Sequence, residues 1–444
     1  MLETPFLMVR FLYNLIIHLV GLPVVVGYYG PKILLTGKYR HSFGGKLGFL
    51  PETFPKQPLK RPIVWFHAVS VGEAVALAPV AREFRKLASD FTIIASTGTE
   101  TGMSKATSEM DCIDAFIYMP MDFPLAVNRV INHIRPDLFV LMETELWPNL
   151  LYGLKSHGAS IALANGRISD RSFPRYMRAR LFISSLLDKI DSFLMISEAD
   201  RQRILKMGAP IERVKVVGNT KFDAALRNVS DDILIEARTT LDLDEDSSVF
   251  FAGSTHPGEH EMILECFQKL LNDFPNLILI IAPRHVETVP SILAAIKERK
   301  LGMPFLRSGQ KLGERRGLRN IVILDTTGEL FKFYSIASVV FIGGSLVPKG
   351  GQNILEPVAW GKRVFFGPSM EDFRDARDLL IKVGAASEVQ DIKELYGLIC
   401  GALNDLNLSK ELGKHGRDEL KRNSGSAKTT AKILFDLISP DKKG

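Results

Sequence analysis

The chain has 444 residues, 46% hydrophobic and 24% charged, which excludes a disordered protein and exceeds what one ordinary core accommodates. Its net charge of +6 is a mild basic bias, suited to an anionic membrane surface or a phosphorylated substrate. No stripe of Lys and Arg with interleaved aromatics supports nucleic acid as a partner, and the distant Cys112, Cys266 and Cys400 build neither a disulfide framework nor a CxxC metal site.

The N-terminus stands apart. From Phe11 to Pro31, 21 residues, there is no Asp, Glu, Lys or Arg, about the length a helix needs to cross the hydrocarbon core. Asn14, His18, Gly21 and Pro23 interrupt the run, so an anchor lying in the membrane interface and a buried core helix are the alternatives. Lys32, Lys38, Arg40 and Lys46 follow it and only Arg10 precedes it, a bias that places the downstream chain in the cytoplasm. No small-residue cleavage site follows, which argues against a signal peptide.

Beyond Pro62, short apolar runs alternate with helical patterns. Ile63–Ala68, Phe91–Ser96, Ala115–Met119, Leu138–Met142, Ser160–Ala164, Phe193–Ile196 and Val214–Val217 read as strands, with a helix over Glu73–Ala88. A second series follows: strands over Val249–Ala252, Leu277–Ile281, Ile321–Leu324, Val339–Ile342 and Arg363–Phe366, with helices over Glu259–Leu271 and Pro290–Arg299. Continuous apolar runs suit parallel strands covered on both faces. The fold class is therefore α/β, with two doubly wound domains facing a central cleft. Residues 1–35 are expected to form the anchor, 36–225 the first domain, and 226–444 the second with an amphipathic helical tail.

Several motifs sit where the strands end. His67-Ala68-Val69-Ser70-Val71-Gly72-Glu73 leads from the first strand into a helix, and Glu73 is placed as a general base for a hydroxyl nucleophile. A helix N-terminus lowers a carboxyl pKa, so burial or a second carboxylate has to oppose it; an ordinary acidic residue in a first helical turn is the plain alternative. Met142-Glu143-Thr144-Glu145-Leu146-Trp147-Pro148-Asn149 ends another strand; alternation of side chains expects one of its two glutamates in the cleft, or an N-cap cluster before Pro148. Gly218-Asn219-Thr220-Lys221-Phe222-Asp223 lies between the two series, where Lys221 is either a cation for an anionic substrate or a solvated charge.

In the second series, Ala282-Pro283-Arg284-His285 suits a nucleotide phosphate or base, and Thr326-Thr327-Gly328-Glu329 either receives an anion or caps a helix. Gly343-Gly344-Ser345 and Lys349-Gly350-Gly351-Gln352-Asn353-Ile354-Leu355-Glu356-Pro357 form the sharpest site: glycines that admit a phosphate and a carboxylate for ribose hydroxyls. His256-Pro257-Gly258-Glu259-His260 matches a zinc-protease pattern, but Pro257 and Gly258 mark a helix start and keep the two histidines off one helical face. Asp242-Leu243-Asp244 reads as a solvated turn. There is no phosphate loop of the G-x-x-x-x-G-K-[ST] type and no nucleophile elbow.

Taken in order behind an apolar N-terminus, HAVSVGE, METELWPN, GNTKFD, APRH, TTGEL and GGSLVPKGGQNILEP resemble the 3-deoxy-D-manno-octulosonic acid (Kdo) transferases of the Gram-negative lipid A pathway. The resemblance covers nearly the whole chain. It implies a GT-B fold, CMP-Kdo as donor, lipid IVA as acceptor, inversion at the anomeric carbon, and work at the cytoplasmic face of the inner membrane among anionic lipids. It makes Glu73 the proton acceptor and has Glu143 and Lys221 stabilise the transition state. CMP contacts fall on Pro283 and Arg284, on Thr327, Gly328 and Glu329, and on Asn353, Ile354, Leu355 and Glu356. Thr327, Gln352 and Ile354 depart from the pattern of many relatives. No metal or other cofactor is expected. A nucleotide-sugar epimerase or hydrolase on the same two-domain fold is the competing enzyme class.

Overall fold

The computed structural model describes residues 3–439 except 38, 57, 228 and 311–313, with side chains described from residue 10 onward. Lys38, one of the basic residues flanking the apolar run, lies outside the described residues. The described chain divides into two compact units, Met1–Ala224 joined by Asn423–Gly444, and Ala225–Arg422.

The first unit holds a seven-stranded parallel sheet: β1 (Ile63–Ala68), β2 (Thr92–Thr97), β3 (Ala115–Tyr118), β4 (Leu138–Met142), β5 (Ser160–Gly166), β6 (Ser192–Met195) and β7 (Val214–Val216). The spatial order is β3-β2-β1-β4-β5-β6-β7, so the winding direction reverses between β1 and β4. All six residues of β1 are buried, as a central parallel strand covered on both faces requires. Alternate residues feed separate cores: Trp65, Phe139, Leu141 and Phe193 on one face, Val64, Phe66, Val140 and Leu194 on the other. His67, on the same strand, is a fully buried core residue whose Nδ1 meets Ser96 Oγ at 2.9 Å, and burial pushes its pKa down to about 4.

The second unit holds β8 (Val249–Thr255), β9 (Ile278–Pro283), β10 (Phe305–Leu306), β11 (Ile321–Ile323), β12 (Val339–Ile342), β13 (Val364–Phe366) and β14 (Ala386–Glu388). Their order is β10-β11-β9-β8-β12-β13-β14, again parallel, with the reversal between β8 and β12. The expected strands are all present. β10 and β14 are additions that sequence patterning does not reveal, because edge strands of two and three residues are too short to display a period.

The tail departs from expectation. The sequence places everything after residue 226 with the second domain, but the helix Ser426–Asp436 packs on the helix Val71–Leu87 of the first unit. Ala427, Ala431 and Leu434 join the core formed by Val64, Phe66 and Phe84, and Phe435 stacks on Phe91 at 5.8 Å. The carboxylate of Asp223 accepts the N–H groups of Gly425 and Ala427, which fixes the start of that helix. Gly218 is needed here, since its φ is 91° and a Cβ would stand 2.4 Å from Ser426 Oγ. An amphipathic helix shows only that it has an apolar face, not which core receives it.

Arg10–Thr36 is a helix of 27 residues, long and apolar enough by length and composition to cross a membrane, and none of its most apolar stretch is buried. The buried-core alternative for this segment is thereby excluded.

Candidate active site

In the first unit, the site is built at the point where the sheet reverses. The strand order reverses between β1 and β4, and in open α/β sheets the carboxyl ends at such a reversal are where ligands bind. Glu73 follows β1. Ser70 caps the helix Val71–Leu87, Glu73 N donates to Ser70 Oγ at 3.4 Å, and the Glu73 carboxylate reaches back to accept Val69 N–H at 2.8 Å and the Ser70 hydroxyl at 3.0 Å. This is a capping box, so the plain structural role foreseen for Glu73 is real. It does not exclude the chemical one. Glu73 is only 7% exposed, and burial together with the Glu143 carboxylate pushes its carboxyl up to about 7, against the opposing pull of Val69 N–H and Ser70. A carboxyl in that range is matched to proton abstraction near neutrality.

Glu143 follows β4 with φ of 55°, a left-handed backbone that costs a non-glycine residue of order 1–2 kcal/mol. Its N–H still donates to Ala164 O at 2.9 Å, so the ladder to β5 runs on while the side chain is re-aimed. The Lys221 ammonium donates to Glu143 Oε1 at 3.0 Å. Lys221 is positioned in turn by a buried network: Asn165 Oδ1 accepts Thr220 N–H and hydroxyl at 3.0 and 3.2 Å, and that hydroxyl also bonds Ala76 O, on the helix of Glu73, at 2.8 Å. The Glu143–Lys221 pair is thus tied through Thr220 to the helix that carries Glu73. Alternation along β4 led us to expect one of Glu143 and Glu145 in the cleft, but both charges raise the Glu73 pKa. Alternation assumes extended backbone, and the left-handed Glu143 breaks it. Asn165 and Thr220 were not legible as site residues; Asn165-Gly166 reads locally as a turn.

In the second unit, the expected nucleotide residues lie on loops at the carboxyl ends of β9, β11 and β12, on the same edge of one parallel sheet. Pro283 ends β9, and Arg284 is exposed with its N–H donated to Thr255 O at 2.9 Å. Thr327 and Gly328 are exposed ahead of the short helix Leu330–Tyr334, and Glu329 is paired with Arg307 at 2.8 Å. Asn353 precedes the helix Leu355–Ala359 and its Oδ1 accepts Leu355 N–H at 3.1 Å, while its amide donates to Glu356 at 3.0 Å. Ile354 and Leu355 have buried side chains, so only their backbone is available to a ligand. Gly350 and Gly351 have φ of 82° and 77°, a conformation that two consecutive side-chain-bearing residues would resist.

The sequence expects Gly343-Gly344-Ser345 to admit a phosphate, but the N–H groups of Gly344, Ser345 and Leu346 are taken by the buried carboxylate of Glu259, which also accepts His256 N–H. The N–H groups of the second cluster are taken as well: Lys349 donates to Val347 O at 2.7 Å, Gly350 to Ser369 Oγ at 2.9 Å and Gly351 to Gly344 O at 2.9 Å. In the HPGEH motif the helix begins at Glu259, with His256 outside it, and the glutamate's task is to stitch two loops together. Replacing Glu259 by alanine would strand four N–H donors, three of them on one loop, at a cost of about 3 kcal/mol. A fall of roughly 5–10 °C in the thermal midpoint is expected, readable by calorimetry; an unchanged midpoint would refute this role.

Two doubly wound parallel sheets, each with one reversal of strand order, define a GT-B-type scaffold. Solved structures share this fold: a glycosyltransferase from Rickettsia africae (TM-score 0.58, 14% identity, 86% of this chain and 99% of that one) and UDP-GlcNAc 2-epimerase from Neisseria meningitidis (0.58, 13%, 85% and 99%). A family model described as 3-deoxy-D-manno-octulosonic-acid transferase matches residues 41–224. The 3-deoxy-D-manno-octulosonic acid transferase of Haemophilus influenzae is 30% identical over 97% of this chain and 98% of its own. A bifunctional glycosyltransferase/methyltransferase of Fusobacterium nucleatum is 37% identical over 79% of this chain, which spans 54% of that longer protein. The chain belongs to the Kdo transferase family. It is a glycosyltransferase, and Kdo transfer in lipopolysaccharide synthesis is its reaction class.

Proposed function

We propose that this enzyme moves Kdo from CMP-Kdo to lipid IVA by a single inverting displacement. The observation that carries the proposal is Glu73, a buried carboxyl held near neutrality at the switch point of the first sheet. In the reaction, Glu73 takes the proton of a sugar hydroxyl on the acceptor. That oxygen forms a bond to the anomeric carbon of Kdo, the bond from that carbon to the CMP phosphate oxygen breaks, and CMP leaves with the electron pair. Lys221, steered by Glu143, offsets negative charge on the reacting groups. On the second domain, Arg284 and the backbone around Thr327 and Gly328 suit the CMP phosphate and base, and Glu356 suits its ribose, with Pro283, Glu329 and Asn353 shaping the pocket. These groups supply the charge stabilisation without calling on a metal.

Domains running over 36–225 for the acceptor and 226–422 for the nucleotide sugar fit this division of labour. The apolar Arg10–Thr36 helix supports attachment to the inner membrane, with the catalytic domains on the cytoplasmic side among anionic lipids. Purified protein incubated with CMP-Kdo and lipid IVA should yield a lipid product heavier by whole Kdo residues in mass spectrometry. Release of free Kdo with no lipid product would overturn the transferase reading in favour of a hydrolase.

A further inference from the structure

The N-terminal helix has one face against its own domain along nearly its entire length. Tyr13, Ile17, Gly21, Val25, Tyr29 and Lys32 are partly covered and recur every three to four residues, one stripe of an α-helix. Polar contacts fix that stripe near its start: the Tyr13 hydroxyl donates to Asp122 Oδ2 at 2.9 Å, and Asn149 Nδ2 donates to Asn14 Oδ1 at 2.7 Å. In the middle, His18 lies edge-on to Phe123 at 5.6 Å. Toward its end, Tyr29 accepts from the Lys46 ammonium at 3.2 Å and packs on Phe43 at 5.5 Å. The other faces are apolar and bare: Phe11, Ile16, Leu19, Val20, Val24 and Val26 are each 59–66% exposed.

From these observations we infer that Arg10–Thr36 does not cross the bilayer but lies flat in one leaflet, clamped along the edge of the first domain. The inference rests on the membrane attachment proposed above and decides its geometry. Between Tyr13 and Tyr29 the contacts run for about 24 Å at 1.5 Å per residue, most of the thickness of a hydrocarbon core. A helix standing across the membrane would carry the domain edge that flanks it into hydrocarbon, with Lys46, Asp122 and Asn149. Desolvating such groups costs several kcal/mol each. Lying flat, the helix keeps that edge at the head groups and buries only its bare apolar faces, as interfacial helices do.

The occupant of those faces is the acyl region of an anionic bilayer, and charge supports this choice. Residues 4–51 contain five basic residues and no acidic one. Arg171, Arg175 and Arg178 are exposed around the helix Phe173–Arg178, which adjoins the helix Arg180–Leu187 whose Phe182 packs on Tyr13. The clamp also leads to the base. The Lys46 ammonium donates to Gly98 O at 2.9 Å, Gly98 N–H to Val69 O at 3.2 Å, and Val69 N–H to Glu73. A flat helix therefore sets the Glu73 loop at the level of the lipid head groups, where a lipid-borne hydroxyl is presented.

The test is the sidedness of the helix ends in the full chain. Single cysteines, Thr4→Cys and Thr36→Cys, are placed in a background with Cys112, Cys266 and Cys400 changed to alanine and probed with a membrane-impermeant maleimide. In intact spheroplasts neither should react, and in inside-out vesicles both should, to within about twofold of each other. Reaction of Thr4→Cys only from the outside, with Thr36→Cys only from the inside, would overturn the flat geometry while leaving the membrane attachment intact. A protein that fails to sediment with membranes would overturn both. An N-terminal epitope tag on the otherwise unaltered chain, probed by antibody on the same vesicles, reads the same sidedness should the cysteine-free background fold poorly.

Discussion

Glu73→Gln is expected to lower turnover by about 10³-fold, within the range contributed by a positioned general base, while CMP affinity changes by less than twofold. Glutamine keeps the length of the side chain. Its carbonyl oxygen accepts the Val69 N–H and its amide donates to Ser70 Oγ, so the capping box survives in which Glu73 now takes part. What glutamine cannot do is accept a proton. Glu73→Ala removes the box as well and should add a stability loss of about 1 kcal/mol, which separates the two roles of the residue. The wild-type profile of kcat/KM should rise with pH through about 7, because the carboxyl is protonated and inactive below that value and free to act as base above it. Isothermal titration with CMP and initial rates on the lipid acceptor are the two measurements. If CMP affinity fell in parallel with turnover, or if the glutamine variant kept a tenth of the wild-type rate, Glu73 would not be the base.

The second expected result concerns the pair behind it. Glu143 raises the Glu73 pKa by like-charge repulsion and is itself held by Lys221. Glu143→Gln removes the repelling charge, so the acid limb of the profile should move to lower pH by roughly one unit. Lys221→Met leaves Glu143 without its cation, which strengthens the repulsion and moves the limb the other way. Each variant should also lose about 10- to 100-fold at its own optimum, as the proposed role of this pair in steadying the transition state requires. An ion pair that merely braced the fold would change the thermal midpoint in both variants and leave the limb where it was. Displacements of the limb in the same direction would refute the coupling.

Much of this arrangement was legible from residue order. Continuous apolar runs such as Ile63–Ala68 and Leu138–Met142 announced central parallel strands, because burial on both faces leaves no polar alternation to read. Their ends placed Glu73 and Glu143, and the motif series fixed the family. What stayed hidden depended on contacts between distant segments. Nothing around Glu259 signals that its carboxylate binds a loop 85 residues onward, so in sequence the glycines there read as a ligand loop. The backbone conformation of Glu143, which brings a second glutamate within electrostatic reach, violates the extended geometry that period-two reasoning assumes. Asn165 and Thr220 carry no sequence mark of their role, which arises only when the loop after β5 meets the segment after β7.

The returning tail bears on how the molecule is made. The second unit is inserted between Ala224 and Asn423 of the first, so two covalent connections join the units instead of one. During synthesis the first sheet is complete once Val216 has emerged, but the helix that seals its core through Ala427, Ala431 and Leu434 comes some two hundred residues later. At about 5–20 residues per second that is an interval of roughly 10–40 s. For that time the nascent first domain lacks the helix that packs on Val71–Leu87, and Phe84 and Phe91, the ring partners of Phe435, are left without that cover. A stop codon anywhere within the second domain would make that loss permanent.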